Sequence, residues 1–150
     1  SWTAVMFFKK SEYIIVTGSG RFGSAIADSL SLSGFDVTVI DKDEKSFSHL
    51  SSSYGGFQSV GDAADIDVLR TAGIERASML IACTNNDNVN SLIAQIASRI
   101  FNVKRVFARL GEKDKVDLIL GHNIVPICPF ELSLEDFWKK SGVSREEEHK

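Results

Sequence analysis

The stretch YIIVTGSGRFGSAIADSL, Tyr13 to Leu30, decides how the rest of the chain is read. Its first five residues are apolar or β-branched, the composition of a buried strand. After the glycines, Phe22, Ile26 and Leu30 recur every four residues, which sets them along one side of a helix. Between strand and helix lies Gly18-x-Gly20-x-x-Gly23. Alone, such a spacing is a weak signal, because any glycine-rich loop can produce it. At a strand-to-helix turn it acquires a physical meaning. The first glycine permits the tight turn, the second lets backbone approach a phosphate, and the third brings helix against strand. The helix N-terminus then offers unpaired N–H groups and the positive end of its dipole to an anion.

Outward from this unit the chain alternates strand and helix with no change of composition. Asp36–Asp41 (DVTVID) reads as a second strand, 45–52 as a short helix, and GGFQSV leads through a third strand to Gly61. Asp65 is placed to cap a helix that runs through Leu69 to a stop at Gly73. The segment 79–83 (MLIAC) is apolar on both faces, as at the centre of a parallel sheet. For the long helix that follows, Val89, Leu92, Ile93, Ile96 and Ile100 form the expected buried side. Arg105–Arg109, a helix around 116–120, and 123–128 complete six strands. Gly34 closes the first helix, 22–32. The expected fold is α/β, a Rossmann-like, doubly wound, six-stranded parallel sheet with helices on both faces. A short C-terminal helix, 131–142, follows, with Ser133 as its cap and Gly142 as its stop. Leu134, Phe137 and Trp138 make an apolar stripe along it, which either folds back on the sheet or meets another subunit.

A chain of 150 residues with 43% hydrophobic content suits one well-buried domain and is too short for two of ordinary size. The expected divisions are an N-terminal extension (1–12), a nucleotide-binding domain (13–130), the C-terminal helix (131–142) and a charged tail (143–150). The opening SWTAV is set aside from the fold. A net charge of −3 gives no reason to expect a nucleic-acid partner. No apolar run approaches the roughly 18 residues that span a bilayer, and no secretory pattern opens the chain, so a cytoplasmic location is expected. Cys83 and Cys128 lie in apolar runs without metal-ligand spacing. Both are expected as buried, reduced thiols, and no metal site is expected.

The glycine loop directs attention to the ends of the later strands. Asp41 lies 23 residues after Gly18, where a carboxylate can accept from an adenosine ribose and disfavours a 2′-phosphate. The plainer alternative is that Asp41 and Asp43 cap the next helix. Asp62, in GDAAD, falls where an adenine would rest and could accept from its exocyclic amine; capping competes there too. Thr84, Asn85 and Asn86 follow the fourth strand, where small polar groups reach a phosphate or a second sugar, or cap a helix. Catalytic equipment is sparse. None of the three histidines, His49, His122 and His149, falls on a strand end facing the crevice, and no Tyr-x-x-x-Lys pair follows Tyr54. Sensing of a nucleotide therefore fits better than its turnover. The alternative is the NAD-binding chain of a split oxidoreductase whose catalytic part is elsewhere.

GSGRFG, VIDKD, VGDAAD with LRTAGI, and IACTNNDNVN followed by RVFAR, taken in this order and spacing, resemble the TrkA N-terminal domain family, also called the RCK or KTN domain. The likeness runs from Tyr13 to Glu131. It implies a Rossmann fold, an adenine nucleotide (NAD(H), AMP, ADP or ATP), and assembly into homodimers or larger rings. It also implies a membrane potassium channel or transporter subunit as partner, reached from the cytoplasmic face and gated allosterically. Carried over by residue, the phosphate loop falls on Gly18, Ser19, Gly20, Arg21, Phe22 and Gly23. The ribose acid falls on Asp41, next to Lys42, and the adenine-side acid on Asp62, next to Ala63. The polar residues after the fourth strand are Thr84 and Asn85, and the fifth-strand arginine is Arg109. The sequence departs from the family at Asp87–Asn88, where an acidic pair is usual, and at Pro129 to Glu131, where Phe130 separates proline from glutamate. By that likeness, the second ligand-binding lobe common in full-length members is expected to be missing after Glu131.

Overall fold

The computed structural model describes residues 12–146. The expected N-terminal extension, apart from Glu12, and the end of the charged tail with His149 lie outside the described residues.

Six strands form one all-parallel sheet: β1 (Tyr13–Thr17), β2 (Asp36–Asp41), β3 (Phe57–Val60), β4 (Met79–Ala82), β5 (Arg105–Arg109) and β6 (Ile124–Ile127). Their order is β3-β2-β1-β4-β5-β6, the doubly wound arrangement read from the sequence. The helices are α1 (Arg21–Leu32), α2 (Ile66–Thr71), α3 (Asp87–Gln95) and α4 (Pro129–Ser141). Alternation along the central strands divides the core in two. Ile14, Val16, Val37, Val39, Met79 and Ile81 pack with Ala27 of α1 and with Phe47. Ile15, Ile40, Leu80 and Ala82 pack on the other face with Leu69 of α2, Ile93 of α3 and Ala97 just beyond it. The central strands are buried on both sides, hence the near-continuous apolar runs that made them legible.

Several expected details are corrected. The short helices at 45–52 and 116–120 are 3-10 segments, Glu44–His49 and Lys113–Ile119. The first is rich in serine, whose hydroxyl competes for backbone hydrogen bonds and disfavours a regular α-helix. On α3 the buried side belongs to Asn90, Ile93 and Ala94, with Ile96 and Ala97 beyond. Leu92 and Ile100, expected inside, are 50% and 53% exposed. Leu92 sits a little over a quarter turn from Ile93, and a wide π-turn over Ile96–Ile100 swings Ile100 outward. Cys128 is only partly buried.

The C-terminal helix starts earlier than expected, at Pro129, whose missing N–H costs nothing in the first turn. Ser133 is therefore an interior residue and not the cap, whereas Gly142 is the stop, at φ +70°. No residue of α4 is buried. The stripe does not fold back on the sheet: Leu134 and Phe137 are 37% and 56% exposed and Trp138 is half-buried, with Phe130 beside them 63% exposed. The tail is not wholly detached, since Arg145 pairs with Glu135 of α4.

Candidate functional site

Strand order reverses between β1 and β4, because α1 carries the chain outward to β2 while α2 brings it back to β4 on the other side. The carboxyl ends of the two strands diverge there and open a crevice. A cavity of about 250 Å³ occupies it.

The glycine loop forms one wall. Gly18 has φ +95°, and a Cβ on it would lie 2.6 Å from the Cys83 carbonyl oxygen. Its N–H donates to the Ile40 carbonyl at 2.8 Å, joining the ends of β1 and β2. A Cβ on Gly23 would lie 1.9 Å from the Gly18 carbonyl oxygen, so α1 and the loop are in backbone contact. At Gly20 a Cβ would meet nothing within 4 Å, and this residue lines the cavity. The first helical bond of α1 runs from the Ser24 N–H to the Gly20 carbonyl at 2.9 Å. The N–H groups of Arg21, Phe22 and Gly23 thus begin the helix without intrahelical partners.

Of the expected loop residues, only Gly18 and Gly20 line the cavity. Ser19 is buried behind it and Gly23 packs beneath. Arg21 is exposed. Phe22 supports Arg109, whose guanidinium carbon stands 5.6 Å from the Phe22 ring centroid.

Asp41, at the end of β2, faces the cavity and is already at work. Its Oδ2 accepts from the Ser19 N–H at 2.7 Å and its Oδ1 from the Asp43 N–H at 2.8 Å. Each carboxylate oxygen keeps a further lone pair for a ligand hydroxyl. Asp43, not Asp41, caps the following 3-10 segment by accepting from the Lys45 N–H at 3.0 Å. Lys42 and Asp62 are exposed at the rim, and Ala63 is buried at the floor. Asp62 Oδ1 accepts from the Ala64 N–H at 2.9 Å, while Asp65 caps α2 through the Asp67 N–H.

The opposite wall is the end of β4. Asn86 caps α3, accepting from the Val89 N–H at 3.0 Å. The Thr84 hydroxyl is spent within the chain, donating to Asn90 Oδ1 at 2.6 Å. Asn85, exposed on the cavity wall, has no side-chain hydrogen bond among the described residues. Arg109 closes this side from the end of β5. Cys83 also lines the cavity, and burial pushes its thiol up to about 11 against the opposing pull of Arg109.

Several contributors escaped the sequence reading. Ile40, Val89 and Ile93 give the cavity its apolar surface, and Ser46 and Gly61 its edge. Asn90, fully buried, joins the ends of β4 and β5 through the Thr84 and Arg109 carbonyls, each at 2.9 Å. Its signal was only the N-x-x-x-N spacing after Asn86. His49, as read, sits on no strand end and does not line the cavity, but its Nδ1 stands 3.0 Å from the Ser19 carbonyl of the glycine loop, a contact the sequence reading did not foresee. Among the described residues no group of three or more His, Cys, Asp or Glu is placed to hold a metal ion, and no helix is long and apolar enough to cross a membrane.

The model of the TrkA-N domain matches residues 14–125. The Trk system potassium uptake protein TrkA of Streptomyces coelicolor is 41% identical over 106 residues, covering 71% of this chain and 48% of that protein. The chain thus spans about half the length of that curated relative. Among solved structures, the TrkA-N domain of the Escherichia coli inner membrane protein ybaL superposes with a TM-score of 0.75. It is 22% identical, with 87% of this chain and 97% of that chain covered. The GsuK channel bound to NAD gives a TM-score of 0.71 at 25% identity, covering 89% of this chain and 24% of that chain. The same channel has been solved bound to ADP, at a TM-score of 0.73 and 23% identity, with 95% and 37% covered.

Proposed function

The chain belongs to the TrkA-N domain family, and on that premise we propose that it is a regulatory nucleotide-binding domain of a potassium uptake system. Its ligand is an adenine nucleotide, NAD(H) or one of AMP, ADP and ATP, held in the crevice between β1 and β4. The observation that carries this reading is the pairing of the open space at Gly20 with the Asp41 carboxylate on the same cavity. The loop and the start of α1 receive the phosphate, Asp41 the ribose, and Asp62 the adenine amine. Arg109, steadied on Phe22, and Asn85 take a second phosphate or sugar. The relatives support this assignment: one is a potassium uptake protein by name and another is a channel solved with NAD and with ADP.

The nucleotide supplies charge and shape, and no chemistry is asked of it. The lining favours this view, because the Cys83 thiol stays protonated and the Thr84 hydroxyl is committed to Asn90. Regulation then depends on a ligand that binds one subunit arrangement more tightly than another, since only a difference in affinity can shift a gate. The partner is a membrane-embedded potassium channel or transporter subunit, met from the cytoplasmic face by a homodimer or larger ring.

Calorimetry with NADH, ATP, ADP, AMP and GTP tests the reading. Adenine nucleotides should bind and GTP should bind more weakly, because guanine presents no exocyclic amine at the adenine position. Asp41→Asn should weaken binding by about 1–3 kcal/mol, the range for a hydrogen bond to a charged acceptor. Equal affinity for GTP removes the role of Asp62, and no binding of any nucleotide overturns the assignment.

A further inference from the structure

We infer that His49 is a positioning residue for the nucleotide loop, holding the Ser19 carbonyl so that the Gly20 N–H is turned to the ligand; this rests on the nucleotide reading above. Ser19 is buried and each of its polar atoms is engaged. Its N–H donates to Asp41 Oδ2 at 2.7 Å, and its hydroxyl lies 2.9 Å from the Ser24 hydroxyl and 3.3 Å from the Ser46 carbonyl. The Ser19 carbonyl accepts from the Ser24 hydroxyl at 3.0 Å and faces His49 Nδ1 at 3.0 Å. The same ring nitrogen is 2.8 Å from the Ser46 carbonyl.

A carbonyl oxygen only accepts, so a nitrogen facing two of them carries a proton and donates. The neutral ring is therefore the Nδ1–H tautomer. An imidazolium carries the same proton, so the contact is kept in either charge state. The peptide joining Ser19 to Gly20 is planar and trans, which points the Gly20 N–H away from the Ser19 carbonyl. Anchoring that carbonyl to His49 and Ser24 therefore fixes where the Gly20 N–H points. Gly20 lines the cavity, and among the described residues its N–H meets no acceptor. Without the imidazole, only the Ser24 hydroxyl holds the carbonyl, beside a glycine that allows the peptide to rotate. Ordering that peptide on binding would then weaken the affinity.

Asparagine carries its amide nitrogen where histidine carries Nδ1, whereas leucine has similar bulk and no donor. His49 is exposed and outside both core clusters, so neither replacement should disturb the fold. Two readouts apply: calorimetric affinity for NADH and ADP, and the Gly20 amide signal in proton–nitrogen NMR of the nucleotide-free protein. His49→Leu should weaken both ligands about tenfold, the scale of one hydrogen bond, and should shift or broaden the Gly20 signal. His49→Asn should restore both. Wild-type affinity and an unmoved Gly20 signal in the leucine variant overturn the inference, as does equal weakening in both variants. A wild-type protein that binds no nucleotide overturns the proposed function instead, while an unmoved Gly20 signal would still count against His49.

Discussion

A Cβ at Gly20 would meet nothing within 4 Å, whereas one at Gly23 would lie 1.9 Å from the Gly18 carbonyl oxygen. Two glycines of one motif thus serve different ends, and substitution separates them. Gly20→Val should leave the melting temperature close to wild type and abolish nucleotide binding, because its side chain enters the space a phosphate would use. Gly23→Ala should lower stability whether or not nucleotide is present, since the contact it would break is backbone against backbone. Thermal melts and calorimetry on the two variants check this. A Gly20→Val protein that binds normally would reduce the three glycines to a packing role. Asp41 shows a similar doubling of duty, as it both faces the cavity and holds the Ser19 N–H.

Among the elements, α3 matters most to the shape of the crevice, and it acts through Asn90. That side chain is fully buried, accepts from the Thr84 N–H at 2.8 Å, and donates to the Thr84 and Arg109 carbonyls. Asp87, one turn earlier, accepts from the Gly111 and Glu112 N–H groups at 2.9 and 3.1 Å. Together they tie the loops after β4 and β5 to the start of one helix. Asn90→Ala should cost roughly 2–4 kcal/mol, because several buried backbone groups each lose a partner worth about 1–3 kcal/mol. Urea unfolding measures it, and a loss below about 1 kcal/mol would mean that water takes over these bonds.

On the scale of the whole molecule, α4 has no place in the core of its own chain. Phe137 and Trp138 meet edge to face at 5.3 Å between centroids, and Phe130 and Leu134 extend the stripe. Exposed aromatic groups such as Phe130 and Phe137, with Trp138 half-buried beside them, are the usual material of an interface. We propose that α4 is where subunits of a homodimer meet. Light scattering should find the wild type dimeric, and Phe137→Glu with Trp138→Glu monomeric yet still able to bind nucleotide. A wild type that stays monomeric at high concentration, or a double variant that unfolds, would count against it.

What the sequence determined by itself was the sheet: runs such as YIIVT and MLIAC are buried on both faces, and the period of the flanking helices is local information. The glycine spacing and the distance to Asp41 are local too, so the glycine loop and the acid that meet at one cavity could be named in advance. Tertiary structure alone decided how side chains divide their hydrogen bonds. Thr84 was drawn inward by Asn90, Phe22 became a support for Arg109, and His49 came to the loop from a segment about 30 residues away. Such pairings depend on which chain ends the sheet order brings together, and nothing in the local pattern of a lone histidine or asparagine records its neighbours. The boundary of α4 likewise turned on Pro129, whose ring suits the first helical turn, while only the tertiary structure decided that its stripe lies outside both core clusters.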